Sequence, residues 1–146
     1  MLVNREDFAP RVRVVVEGLA ERAVIGDLGS VDWGLPSLED ELAVLTTATG
    51  MALEDIYDEI ARVLAEGFSA NHWSFDFCDR VVNSLHDLES SRGGMEFPAA
   101  FWEVFNAFDE GEYYHLGDDR AVVDPVEKYT RPLIEEFLAK TRDPHS

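Results

Sequence analysis

The stretch LEDIYDEIARVLAEGFS, residues 53–69, decides the fold. Its apolar side chains recur at intervals of three and four residues, the spacing that places them on one face of an α-helix. They are Leu53, Ile56, Tyr57, Ile60, Leu64 and Phe68. The opposite face carries four carboxylates, Glu54, Asp55, Asp58 and Glu59. The stretch therefore predicts a helix with one buried face and one acidic face.

Five further segments show helical spacing, and none shows the strict alternation of a half-buried strand. They cover roughly residues 9–23, 37–50, 74–89, 97–111 and 124–138. Ser37, Ser74 and Asp124 are placed to cap three of these helices, and glycines mark a loop at about residues 25–36 and a linker at 90–94. The sequence predicts an all-α fold of about six helices around a single core, an antiparallel bundle or array. Residues 1–146 are expected to form one domain.

Two positions leave the local conformation open. Three consecutive valines suit a strand as well as a helix, so both conformations remain open for residues 12–17. Pro132 lies inside the last helical segment, where its missing N–H predicts a kink, or a restart of the helix at Thr130.

The chain is strongly acidic. Its 30 acidic and 12 basic residues give a formal net charge of −18. A field of that sign repels phosphate backbones and anionic membrane surfaces, which argues against nucleic-acid and membrane partners, and it attracts basic proteins. Cys78 is the only cysteine, which excludes an intramolecular disulfide. Because the N-terminus lacks a signal-peptide pattern and no apolar run reaches membrane-spanning length, we expect a cytoplasmic protein.

The acidic residues are concentrated in two stretches without lysine or arginine, between Arg22 and Arg62 and between Arg92 and Arg120. The second stretch contains DEGEYYHLGDD, residues 109–119, where five carboxylates flank two adjacent tyrosines. Tyrosine supplies rigid contact area at interfaces, and carboxylates pair with arginine or lysine of a partner. The predicted partner-binding residues are Asp109, Glu110, Glu112, Tyr113, Tyr114, Asp118, Asp119, Glu54, Asp55 and Asp58. The alternative is a hydrophilic helix end with its tyrosines packed inward.

Catalytic chemistry has weaker support in the sequence. A metal-dependent hydrolase of helical type would use the dipeptide His86-Asp87 with His72 as a further ligand and Asp118 or Asp124 as the last. The alternative is the exposed polar face of a helix, on which Asp79, Asn83, His86 and Asp87 lie together. Cys78 falls on an apolar stripe, as expected for a core residue. We predict no catalytic residue, no metal ligand, no cofactor and no enzymatic activity.

Residues 97–102 (FPAAFW), 107–113 (AFDEGEY) and 124–132 (DPVEKYTRP) give the second half of the chain a family likeness. This half resembles the small bacterial immunity proteins that accompany contact-dependent growth inhibition and other polymorphic toxins. The resemblance implies a cytoplasmic inhibitor that binds one toxin domain and blocks it. A basic nuclease is a fitting target, because an acidic inhibitor can occupy its phosphate-binding groove. The alternatives are the hydrolase and a homo-oligomeric interaction module.

Overall fold

A computed structural model describes residues 5–25, 35–92 and 96–142. These residues form six α-helices, and none of them lies in a β-strand. The helices are α1 (Arg5–Ile25), α2 (Leu35–Thr49), α3 (Leu53–Ser69), α4 (Phe75–Arg92), α5 (Ala99–Glu110) and α6 (Arg131–Arg142). A π-helical turn, Val126–Thr130, leads directly into α6. The predicted all-α fold is confirmed.

Helix α3 lies at the centre and packs against each of the other five helices. Ten of the 17 residues of α3 are buried. This number exceeds the residues on a single apolar face. The predicted stripe is buried except for Leu53, which is half-buried. Glu59, predicted on the acidic face, is only 6% exposed. That prediction was wrong because neighbouring helices cover α3 on several sides. Burial of each large apolar side chain of α3 contributes about 1.5–3 kcal/mol to the free energy of unfolding.

Contacts along α3 and α4 give the directions of these two helices. The Tyr57 hydroxyl donates to the Leu85 carbonyl over 3.0 Å, and the Cys78 thiol lies 3.8 Å from the Leu64 carbonyl. Residue numbers rise on α3 as they fall on α4, so the two helices are antiparallel. Cys78 is fully buried, as predicted.

Helix α5 runs parallel to α3. Tyr57 packs on Phe101 near the starts of the two helices, and Phe68 packs on Phe108 near their ends, with ring centroids 5.1 and 5.4 Å apart. Helix α6 then runs antiparallel to α5, since Thr130 contacts Ala107 and Lys140 contacts Glu103. The parallel pair makes the architecture a helical array rather than a strictly antiparallel bundle.

Some helix boundaries differ from the predicted ones. α1 is helical through residues 12–17, which answers the question that the valines left open. α2 begins at Leu35 rather than after Ser37, and α4 continues to Arg92, so the linker predicted at 90–94 begins too early. The rest of the predicted loop, residues 26–34, lies outside the described residues. The Ser74 hydroxyl accepts the Phe77 N–H over 3.1 Å and caps α4, as predicted.

The helix predicted to kink or restart near Pro132 contains the π-helical turn instead. There the N–H of Arg131 donates to the carbonyl of Val126, five residues earlier. The turn ends at Thr130, the predicted restart, and Pro132 follows as the second residue of α6. Within the described residues, no helix combines the length and apolar character that crossing a membrane requires.

Candidate binding loop

Residues 109–119, called the acidic loop below, comprise the last two residues of α5 and the segment that follows them from the buried Gly111. The Gly111 N–H donates to the Phe108 carbonyl over 3.1 Å. A Cβ at Gly111 would overlap the Thr130 hydroxyl and lie 3.1 Å from the Phe75 ring. That hydroxyl donates to the Ala107 carbonyl over 2.7 Å. Glycine therefore allows the π-helical turn to close against the end of α5.

Asp118 anchors the far end of the acidic loop. Its side chain is 2% exposed and accepts hydrogen bonds from the Lys128 ammonium at 2.6 Å and the Tyr129 hydroxyl at 2.8 Å. It also accepts the backbone N–H of His115 over 2.8 Å. The hydrogen bond from Lys128 is the main reason that the pKa of Asp118 falls to about 2. This predicted partner-binding residue is thus occupied in holding the loop.

His115 fills the inside of the loop. Its ring packs on Tyr129 and Tyr113, with centroid distances of 3.8 and 4.6 Å. Its Nε2 lies 3.0 Å from both the carboxylate and the backbone carbonyl of Glu110. Glu110 therefore also serves the loop's own structure, although its side chain remains 38% exposed.

The outer surface of the loop is aromatic and aliphatic. Tyr113 and Tyr114 are 47% and 37% exposed, and Leu116 is fully exposed. The Arg120 guanidinium lies 4.9 Å above the Tyr114 ring. Asp119 is exposed and accepts the Ala121 N–H over 2.9 Å. Tyr113 buries one ring face against His115, and both tyrosines keep part of their surface accessible.

The start of the loop contacts α4. The Asn83 amide donates to the Glu112 carboxylate over 3.0 Å. Asp79, one turn earlier on α4, has its pKa raised to about 8, first by burial and then by contact with Glu112. Burial and the neighbouring carboxylate of Glu112 also raise the pKa of Asp109. Asp79 was predicted on the exposed polar face of α4, and it is half-buried.

The second group of predicted binding residues lies elsewhere. Glu54 and Asp55 are exposed in the first turn of α3. Asp58 instead accepts the Phe101 N–H over 2.9 Å and caps the start of α5. Burial raises the pKa of Asp58 despite this hydrogen bond. The 12 residues of α5, about 18 Å at 1.5 Å per residue, separate Asp58 from the acidic loop, so the ten predicted residues do not form one site.

The residues of the predicted hydrolase are also separated. His72 precedes α4, whereas His86 lies well along that helix and stacks on Phe97 and Phe105 at 5.0 and 4.7 Å. His86 lies eleven residues after the first residue of α4, which places it about 16 Å from the start of that helix along its axis. Within the described part of the chain, no three His, Cys, Asp or Glu side chains are arranged to hold a metal ion. Burial raises the pKa of the Cys78 thiol well above its ordinary value.

Comparison with known proteins finds no matching family model, no matching curated protein and no matching solved structure.

Proposed function

We propose that the protein binds a basic protein partner through the outer surface of the acidic loop, and that this partner is a toxin domain which it inhibits. The proposal includes a cytoplasmic location, no catalytic activity or cofactor of its own, and no direct contact with nucleic acid or membrane. The −18 charge and the likeness to immunity proteins support it.

One observation carries the proposal: the loop is held from inside while its contact residues point outward. Asp118 accepts three hydrogen bonds within the protein, so little backbone freedom remains to be lost on binding. Tyr113, Tyr114 and Leu116 remain accessible on the same short segment. Preorganised aromatic side chains at the centre of an interface carry much of its binding energy.

The remaining carboxylates suit the edge of such an interface. Glu112 and Asp119 are exposed beside the tyrosines. Exposed charges at an interface rim chiefly raise the association rate and favour a partner of opposite sign. Inhibition would follow because the loop and the bulk of the protein cover the partner's basic surface.

The test is a binding measurement, at low salt, with the toxin domain encoded beside this protein. We expect Leu116→Ser to weaken the complex by at least about tenfold, since it removes an exposed anchor from the loop. Val44→Ser is the matched control, because Val44 is 60% exposed on α2, away from the loop. No complex at low salt, or an equal loss in both variants, would refute the proposed site.

A charge comparison separates a defined site from general acidity. Glu112→Gln/Asp119→Asn and Glu54→Gln/Asp55→Asn each remove two negative charges. We expect only the first pair to slow association, by about threefold to tenfold at low salt. Equal slowing would show that the net charge alone attracts the partner. Self-association without a heterologous partner would support the homo-oligomeric alternative instead.

A further inference from the structure

Three side chains join the start of the acidic loop to α4. The Asn83 amide donates to the Asp79 backbone carbonyl at 2.8 Å and to the Glu112 carboxylate at 3.0 Å. The carboxyl group of Glu112 acts on that of Asp79, and this contact is one of the causes of the raised pKa of Asp79. Among the described residues, the enclosed Asp79 Oδ1 has no hydrogen-bond partner. The loop is thus attached to α4 by an amide and a pair of carboxyl groups.

We propose that Asp79, Asn83 and Glu112 form a proton-dependent latch, which holds the start of the acidic loop on α4 and releases it when the proton is lost. Two carboxyl groups can share a hydrogen bond only while one of them is protonated. Loss of that proton places two negative charges side by side in a partly enclosed position. The Asn83 amide can donate to Glu112 in either state, and its own hydrogen bond lowers the pKa of Asp79, but burial and Glu112 outweigh that effect.

The groups around the pair strengthen this dependence on the proton. Asp109, at the end of α5, brings a third carboxylate towards Asp79. From α4 itself, Asn83 contributes a neutral amide and Cys78 a buried thiol, while Arg80 is exposed. The charges that act on Asp79 from α5 and from the loop are therefore negative, and they favour retention of the proton.

The direction of the pH effect follows from the two states of the latch. In the closed state, burial and the contact with Glu112 raise the pKa of Asp79 to about 8. In the open state the carboxyl returns towards its ordinary pKa of 3.8. Protonation thus favours the closed state fully below about pH 4, and that advantage is lost as the pH rises through about 8.

Regulation of binding by this latch rests on the proposed function of the acidic loop. An open latch frees Glu112 and the adjacent Tyr113 from their preset positions, so affinity for the basic partner would fall as the pH rises. The far end of the loop keeps its attachment, because Asp118 remains ionised and bound to Lys128 throughout this range.

The latch is tested on the free protein, so the result does not depend on any partner. The reporter is solvent exchange of the Glu112 amide, whose N–H donates to the Asp109 carbonyl at 3.1 Å. After correction for intrinsic rates, we expect its protection to fall at least about tenfold between about pH 6 and about pH 9. Asp79→Asn, which cannot lose the proton, should abolish the fall, and the exposed control Asp119→Asn should retain it.

Constant protection in the unsubstituted protein, or the same fall in Asp79→Asn, would overturn the latch. A second measurement covers the case in which Asp79→Asn does not fold. Carbon NMR of the Asp79 side-chain carboxyl group should show it titrating near pH 8 in the unsubstituted protein. Titration of Asp79 below about pH 5 would also overturn it. Failure here with intact partner binding would leave the proposed function standing.

Discussion

The two ends of the acidic loop use the same kind of side chain in opposite ways. At the far end, Asp118 receives hydrogen bonds from an ammonium, a phenol and a backbone N–H, and its pKa falls to about 2. At the start, Asp79 meets Glu112 and Asp109, and its pKa rises to about 8. The partners of each carboxyl group, rather than the net charge of the chain, determine whether its ionisation holds or loosens the loop.

The contrast predicts that stability changes with pH in two separate ranges, one in acid and one in mild alkali. The pKa of Asp118 is lowered from 3.8, so its contribution is present above about pH 4 and is lost as the pH falls through about 2. The pKa of Asp79 is raised, so its contribution is present below about pH 4 and is lost as the pH rises through about 8.

The largest effect is expected from Asp118→Asn. The substitution removes the charge that Lys128 contacts and places an amide donor among groups that themselves donate. We expect the melting temperature at neutral pH to fall by several degrees, and the difference to disappear towards about pH 2, where Asp118 is protonated. Thermal unfolding of the two proteins between neutral pH and about pH 2 measures the fall in melting temperature and its disappearance in acid. An unchanged melting temperature at neutral pH would remove Asp118 as the anchor.

Gly111→Ala examines the backbone between the two ends. The new Cβ would overlap the Thr130 hydroxyl, so the π-helical turn must move away from α5. Overpacking of this kind costs about 1–3 kcal/mol of unfolding free energy, measured by denaturant titration. Gly18→Ala on α1 is the matched control, since its Cβ meets no atom within 4 Å and should be neutral or stabilising. Equal stability of the two variants would show that the close approach is unimportant.

The smallest effect is expected from Asp79→Asn, and it has the opposite sign. At about pH 9 the substitution removes a partly buried charge that two carboxylates oppose, and we expect a gain of about 1 kcal/mol in unfolding free energy. At about pH 4 the gain should vanish, because Asp79 is already protonated in the folded protein. Denaturant titration at both pH values checks this. A loss of stability at pH 9 would contradict the repulsion.

Local patterns in the sequence predict the helices but not the roles of single carboxylates. The stripe on α3 is visible because helical spacing is a property of neighbouring residues. Asp58 was grouped with Glu54 and Asp55, yet it caps α5, 43 residues later in the chain. A weak signal for this cap existed: Pro98 precedes α5 and has no side-chain oxygen to accept its first N–H groups.

The acidic loop shows the same limit. Asp118 and Asp119 are adjacent and were predicted to have the same role, although one is enclosed by Lys128 and Tyr129 and the other is exposed. Asp79 was placed on a polar helix face, because the packing of α5 over α4 is a long-range event. Which carboxylate faces a cation and which faces another carboxylate depends on such contacts, which spacing along the chain does not encode.

The π-helical turn at Val126–Thr130 has a consequence for the spacing of the chain. A π turn holds one residue more than an α turn over the same stretch of axis, so it acts as an insertion that the helix has absorbed. Removing one residue there would restore ordinary α-helical winding, and the flanking residues would keep nearly the same orientation relative to α6, because the π turn had already absorbed that residue. What would change is the width of the turn at Thr130. The extra residue therefore widens the helix where it closes against the end of α5, while the last helix keeps its register.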